Sequence, residues 1–294
     1  MSIFVNKDTK VVVQGLTGSQ GRFHGLRNRA YGTKVVAGTN PKKAGTDVEG
    51  IPVLATVKEA VAEHGADTSL VFVPPPAVKD AVLEAADAGL RMVVVITEGV
   101  PAQDEAEFYN RLRRDHPRTR LLGPNCPGLI TPGQCNIGIT PGEIATPGGP
   151  VGIVSRSGTL TYQALYELSQ KKIGVTTCVG IGGDPVPGTN FVDCLEAFQF
   201  DPDTKAVMMI GEIGGAEEER AADFIRTKMN KPVVSYIAGQ TAPAGKKMGH
   251  AGAIISGSAG TASAKMAALE AAGVSVAANP TEAGELMAAV VAAL

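Results

Sequence analysis

The residue best suited to covalent chemistry is His250, in "GHAGAI". It is a lone imidazole with Gly249 before it and Ala251 and Gly252 after it. No bulky neighbour would bury the ring, and no nearby residue has metal-ligand spacing. A neutral imidazole is a good nucleophile near pH 7, and small neighbours leave room for a tetrahedral group. The setting suits a histidine that accepts and carries a phosphoryl group. The competing reading is a structural loop histidine. The other histidines offer less. His24 sits on a helix near a glycine turn, His64 precedes Gly65 at a helix end, and His116 precedes Pro117 in a basic loop.

Two glycine-rich strand ends suit anions. "KVVVQGLTGSQGRFHG" reads as strand, turn and helix start, with Gly15, Gly18 and Gly21 in the turn. Thr17 occupies the place of the second glycine in the dinucleotide fingerprint. The N–H groups of Thr17, Gly18, Ser19 and Gln20 can still meet a phosphate at a helix N-terminus. A tight turn without ligand is the alternative. After the next strand, "VVAGTNPKKAGT" carries Lys42 and Lys43 where an NAD site has a carboxylate. A basic residue there suits a nucleotide with an extra ribose phosphate, NADP or coenzyme A. Lys42 alone reads as a solvated loop lysine. "VVVITEGVP" places Ile96, Thr97 and Glu98 at a strand's carboxyl end, on the same expected crevice as residues 17–20. In the C-terminal half, "GIVSRSGTLTYQAL" clusters Ser155, Ser157, Gly158 and Thr159 at a helix entry. Ser157 is a good N-cap, and the entry also offers N–H donors and a positive dipole end. Glu212 directly follows a strand. It reaches either a crevice or the N-terminus of a helix over 216–228.

These groups require α/β scaffolding, and the chain predicts it. Strands are expected at "KVVVQG", "KVVAGT", "SLVFVP", "RMVVVIT" and "TRLLGP", with helices near 21–31, 56–64, 77–88 and 103–115. From 125 to 150 the chain is dense in Pro and Gly and reads as a long connection. The alternation resumes with "VGIVSR", "VTTCVGIG", "AVMMIGE", "KPVVSYIAG" and "GVSVA", and helices near 158–170, 190–199, 216–228, 260–271 and 281–293. The expected organisation is an α/β domain over 1–130, a linker over 131–150 and a second α/β domain over 151–294, both with doubly wound parallel sheets.

Composition agrees. Of 294 residues 44% are hydrophobic but only 4% aromatic, and there is no Trp, so the core is built from Val, Ile, Leu and Ala. A net charge of -2 argues against a nucleic-acid binder. No apolar run reaches the roughly 20 residues of a membrane helix. The start lacks a signal-peptide pattern, so cytoplasm or an organelle matrix is expected. Cys126, Cys135, Cys178 and Cys194 have no zinc-like spacing and read as reduced, buried thiols. No metal site is expected.

The motifs "GLTGSQG", "ITEG", "GPNCPG", "IVSRSGTLTYQA", "GIGGDPVPG", "GEIGG" and "GHAGAI", in this order along essentially the whole chain, closely resemble the alpha subunits of succinyl-CoA synthetases (succinate–CoA ligases). The resemblance implies a Rossmann-like coenzyme A domain followed by a flavodoxin-like domain. It implies an ATP-grasp beta subunit that binds the Mg-nucleotide. The implied reaction is succinate + CoA + NTP ⇌ succinyl-CoA + NDP + phosphate, through succinyl phosphate and a phosphohistidine. By position, the coenzyme A contacts fall on Thr17, Gly18, Ser19, Gln20, Lys43, Ile96, Thr97 and Glu98. The phosphohistidine falls on His250, its orienting glutamate on Glu212 and a substrate-side tyrosine on Tyr162. The helix facing the phosphohistidine begins at 155–158. "NPKKAG" departs from the usual "PGKGG", so Lys43 carries the match and Lys42 does not. The absence of a G-x-x-x-x-G-K-[ST] loop fits a chain that leaves nucleotide splitting to a partner.

Three rivals compete. A malate–CoA ligase subunit would share the architecture. An NADP-dependent oxidoreductase needs a hydride site and gives His250 no role. A CoA-sensing module leaves the glycine loops of the second half unexplained.

Overall fold

Short Val- and Ile-rich segments alternate with Ala-rich ones, and the computed structural model arranges them in two sheets; it describes residues 2–242, 249–255 and 260–294. The lead-in to His250 at 246–248 lies outside the described residues. The N-terminal unit runs β1 (Lys10–Gln14), α1 (Ser19–Tyr31), β2 (Lys34–Thr39), β3 (Asp47–Val48), β4 (Ile51–Leu54), α2 (Val57–His64), β5 (Thr68–Val71), α3 (Val78–Asp87), β6 (Met92–Val95), α4 (Ala102–Asp115) and β7 (Arg120–Leu122). Its sheet order is β3-β4-β2-β1-β5-β6-β7, parallel except for β3. The parallel strands thus follow the Rossmann order 3-2-1-4-5-6, whose switch point lies between β1 and β5. The sequence did not predict β3 and β4. Pro52 and Gly50 punctuate that stretch, and β4 is paired with β2 at only two positions, Gly38 with Val53 and Thr39 with Leu54.

The C-terminal unit runs β8 (Gly128–Thr131), β9 (Cys135–Gly138), β10 (Val151–Ser155), α5 (Gly158–Gln170), β11 (Val175–Gly180), α6 (Phe191–Phe200), β12 (Ala206–Glu212), α7 (Glu217–Lys228), β13 (Val233–Ala238), α8 (Ala262–Ala271), β14 (Ser275–Ala277) and α9 (Pro280–Ala292). Its order is β14-β13-β12-β10-β11-β8-β9. The five parallel strands give the flavodoxin-like order 2-1-3-4-5, with the switch point between β10 and β12. α5 and α9 pack on one face, and α6, α7 and α8 adjoin one another in series.

The stretch expected to be an irregular connection is the main correction. β8 and β9 form a hairpin that joins the second sheet antiparallel to β11, pairing Cys178 with Ile130 and Gly180 with Gly128. Both strands are buried throughout. The N-terminal unit supplies their cover, because α1 lies against β9. Asn28 Nδ2 donates to Gly138 O at 3.0 Å, and Thr33 Oγ1 donates to Asn136 O at 2.8 Å. Two four-residue strands among prolines and glycines have too little periodicity to announce themselves. A neighbouring surface, not propensity, makes them a sheet edge.

All four cysteines are free and buried, and burial pushes the thiols of Cys126 and Cys135 up to about 12, with Cys178 and Cys194 higher still. They are inert thiols. Among the described residues no helix is long and apolar enough to cross a membrane, and no cluster of side chains has the make-up of a metal site.

Candidate active site

A cavity of about 960 Å³ opens at the switch point between β1 and β5. Thr17, Gly18, Ser19, Gln20 and Lys43 line it, as expected, and Lys42 lines it too. The turn is tight: a Cβ on Gly21 would stand 2.2 Å from Gly15 O, so the first turn of α1 can pass under the loop only with glycine there. Gly18 caps α1 without a side-chain hydrogen bond, and the first turn holds no acidic residue. Its N–H donors therefore remain available to an anion. Asn40 Nδ2 donates to Thr17 Oγ1 at 2.6 Å, tying the loop after β2 to the loop after β1. Ile96, Thr97 and Glu98 are not among the lining residues. They follow β6, one strand beyond the switch point, and Thr97 Oγ1 donates to the wall residue Val73 O at 2.7 Å. His24 stacks parallel on Phe72, another wall residue, with ring centroids 5.7 Å apart. Burial lowers its pKa, so it acts as a neutral ring supporting that wall.

The second site lies at the carboxyl ends of β10, β11 and β12. His250 Nδ1 is 2.8 Å from Oε2 and 3.0 Å from Oε1 of Glu212, the last residue of β12. The Glu212 side chain is 8% exposed and the imidazole 24%. The ring rests on the loop after β11: a Cβ on Gly183 would lie 2.1 Å from Nδ1, so only glycine admits the imidazole here. The hydrogen bond that His250 donates to Glu212 raises the His250 pKa above 6.5, against desolvation and the Arg156 charge; the Glu212 and Asp184 charges raise it further.

At the entry to α5, Ser157 is the N-cap, and its Oγ accepts from Leu160 N at 3.3 Å. Ser155 Oγ donates to Ser157 O and accepts from Ser157 N, so the Ser155 hydroxyl is used internally, while the Ser157 hydroxyl serves there as an acceptor only. The groups left for an anion are the Ser157 O–H and the N–H donors of Gly158 and Thr159, for which no acceptor is found among the described residues. Open space surrounds the Gly158 Cα. Tyr162 stands one turn along α5. Burial pushes its phenol up to about 12, making it a neutral donor at pH 7.

Sequence reasoning missed the buried charges beneath this site. Arg156 Nε lies 3.5 Å from Glu212 Oε1, and its Nη1 lies 3.6 Å from Glu218 Oε1. Lys265, fully buried, donates to Glu212 O at 2.9 Å, to Gly214 O at 2.6 Å and to Glu218 Oε2. Glu218 in turn accepts the Glu212 N–H at 3.0 Å. The acidic residues in the first turn of α7 are Glu217, Glu218 and Glu219, not Glu212. Glu212 is thereby free to face the imidazole.

A glycine-turn cavity in one unit suits an anionic ligand, and the histidine–carboxylate pair in the other has the make-up of a nucleophile held by a carboxylate. Family models agree: "CoA binding domain" matches residues 6–99 and "CoA-ligase" matches residues 154–275. Among curated relatives, the alpha subunit of ADP-forming succinate–CoA ligase from Aquifex aeolicus is 57% identical over 288 residues, covering 98% of this chain and 94% of that one. Alpha subunit 2 of the Archaeoglobus fulgidus enzyme is also 57% identical, covering 98% and 99%. The chain belongs to the family of succinate–CoA ligase alpha subunits. Among solved structures, a mutant ATP citrate lyase of Methanosaeta concilii in complex with (3S)-citryl-CoA is similar with TM-score 0.89 and 28% identity. That similarity covers 99% of this chain, which spans about half of that one, 51%. A dinucleotide-forming acetyl-coenzyme A synthetase of Ca. Korarchaeum cryptofilum, at 24% identity and TM-score 0.78, shares the fold.

Proposed function

We propose that the chain is the coenzyme A-binding, phosphohistidine-bearing half of a succinate–CoA ligase, working with a beta subunit of ATP-grasp type that binds the Mg-nucleotide. The observation that carries this is the 2.8 Å contact between His250 Nδ1 and Glu212 at the switch point of the second sheet. An ionised carboxylate only accepts, so Nδ1 carries the proton and Nε2 keeps its lone pair. Nε2 attacks the terminal phosphoryl group of the nucleotide, the bridging P–O bond breaks and the nucleoside diphosphate leaves, and Glu212 offsets the positive charge that develops on the ring. The phosphoryl group passes to a succinate carboxylate to give succinyl phosphate. The coenzyme A thiolate then forms the thioester and releases phosphate. The α5 entry at 155–159 offers its free N–H groups to the phosphate, and Tyr162 offers a neutral hydroxyl to the acid. Ile96, Thr97 and Glu98 extend the coenzyme A contacts beyond the cavity wall. ADP-forming relatives favour ATP as the nucleotide, and their bacterial and archaeal origin favours a cytoplasmic enzyme.

The test is a CoA-ligase assay of the chain with and without its beta subunit. Succinate- and ATP-dependent thioester formation is expected from the assembled complex and not from this chain alone. Turnover by the chain alone, or a complex that accepts malate and not succinate, would overturn the reading.

Lys43 gives a sharper prediction for the first cavity. Its ammonium meets the ribose phosphate that dephospho-CoA lacks. The complex is expected to bind CoA roughly 10-fold more tightly than dephospho-CoA, as fits one charge-assisted contact at an exposed site. Lys43→Ala should erase the difference, as read by calorimetric titration. A preference that survives in Lys43→Ala would reassign the phosphate contact to Lys42.

A further inference from the structure

Glu105 is buried, and among the described residues no cation pairs with it. It belongs to the first turn of α4 and is 1% exposed, yet neither of its carboxyl oxygens has a conventional hydrogen-bond donor. It faces Asp184, which is 5% exposed and whose Oδ2 likewise lacks a donor. The two carboxyls come from different units: Glu105 from the N-terminal unit, Asp184 from the loop after β11 that seats the His250 ring. Among the described residues no lysine or arginine pairs with either. The groups around the pair are the Val186 N–H against Glu105, and, against Asp184, the Asn125 side chain, the His250 imidazole and the neutral Cys126 thiol. Asn125 Nδ2 donates to Asp184 Oδ1 at 2.9 Å, which leaves Oδ2 for Glu105. Two ionised carboxylates cannot share a dry contact of this kind. One proton on either carboxyl pairs Asp184 Oδ2 with one of the two Glu105 oxygens.

We propose that Glu105 is a positioning residue for the histidine site: its protonated carboxyl donates to Asp184 across the two units and so fixes the 181–187 loop on which the His250 imidazole rests. Burial and Asp184 hold the Glu105 carboxyl up at about 8, outweighing the Val186 N–H and the positive end of α4. As pH rises through about 8, Glu105 releases its proton to solvent, the carboxylates repel, and the loop loses its anchor.

The inference rests on the reading of His250 as phosphoryl carrier, so its test has one arm that needs no turnover. Glu105→Gln replaces the acid by an amide that donates to Asp184 at every pH. In the assembled complex, ligation by the wild type should fall above pH about 8, and Glu105→Gln should keep its activity there. Glu105→Ala should lose roughly 10- to 100-fold at pH 7, the scale expected when a reacting group is misplaced by about an ångström. Independently of activity, a carboxyl raised from 4.5 to about 8 favours folding below 4.5 and loses that advantage up to about 8. The melting temperature of the wild type should therefore fall more steeply across this window than that of Glu105→Gln. Parallel melting profiles would overturn the shared proton even if the ligase reading stands. Diverging melting profiles with the same alkaline loss of activity in both proteins would overturn the positioning role. Absence of ligation at every pH would count against the function of the chain and leave the melting arm to decide the pair.

Discussion

His250→Asn is expected to abolish phosphate uptake and ligation in the assembled complex, by more than about 10³-fold, while fold and coenzyme A binding persist. Asparagine fills the seat on Gly183 and can keep a hydrogen bond to Glu212, but it has no nucleophilic nitrogen. The cavity between β1 and β5 belongs to the other unit and does not sense the change. The measurement is incorporation of labelled phosphate from ATP as an acid-labile, base-stable adduct. Label retained by the His250→Asn complex would place the carrier elsewhere. The pH dependence adds a second reading. Glu212 raises the His250 pKa, so the neutral, nucleophilic imidazole gains population as pH rises through a value above 6.5. The rate of phosphorylation should climb over that range. Glu212→Gln removes the main cause of the shift, so the limb should move to lower pH. The rate on the plateau should fall roughly 10²-fold, because an amide no longer offsets the ring charge and can hold the wrong tautomer. The same pair affects stability with the sign of a raised histidine: its contribution is complete below the unfolded value and fades as pH rises through the folded one.

Much of this site could be read from the chain because its chemistry sits where periodicity breaks. The turn at Gly15, Gly18 and Gly21 and the serines at 155–157 interrupt β-branched runs, and such interruptions at strand ends are where open α/β sheets bind ligands. Ten of the strands and the nine α-helices among the described residues followed from alternation of Val-rich and Ala-rich segments. What stayed hidden depended on contacts between distant segments. The β8–β9 hairpin became a sheet edge only because α1 covers it. The loop at 96–98 looked level with the cavity, but the strand order puts it one strand away. The buried charges were hidden in another way. Glu105 shares a helical stripe with Phe108 and Leu112, Glu218 with Ala221, Ala222 and Ile225, and Lys265 with Ala262 and Leu269. Glu105 and Glu218 stand at the i position, and Lys265 at the i+3 position, of an i, i+3, i+7 stripe, where the period demands burial.

Lys265→Met is expected to cost about 3–5 kcal/mol, because it strips the fully buried Glu218 carboxylate of its lysine partner and removes the ammonium donor to the carbonyls of Glu212 and Gly214. Methionine fills a similar volume, so lost packing does not account for the change. For a unit of this size such a loss lowers the melting temperature by roughly 10 °C, measured as the shift in calorimetric unfolding of the assembled and the separate chain. Arg156 alone cannot rescue Glu218 at 3.6 Å, since it also serves Glu212 at 3.5 Å. Adding Glu218→Gln to Lys265→Met removes the stranded charge while keeping an acceptor for the Glu212 N–H. The double variant should therefore be less destabilised than the sum of the two single ones, by about 1–3 kcal/mol. Strict additivity would mean that the lysine and the glutamate are neighbours without being partners. The catalytic consequence separates this network from ordinary core packing. Lys265 holds the carbonyls of Glu212 and Gly214, and Glu218 holds the Glu212 N–H, so both sides of the Glu212 backbone are fixed from below. Loosening them lets the carboxylate drift from Nδ1. Phosphorylation by Lys265→Met should then fall even at temperatures where the protein remains folded, while coenzyme A binding in the other unit stays unchanged.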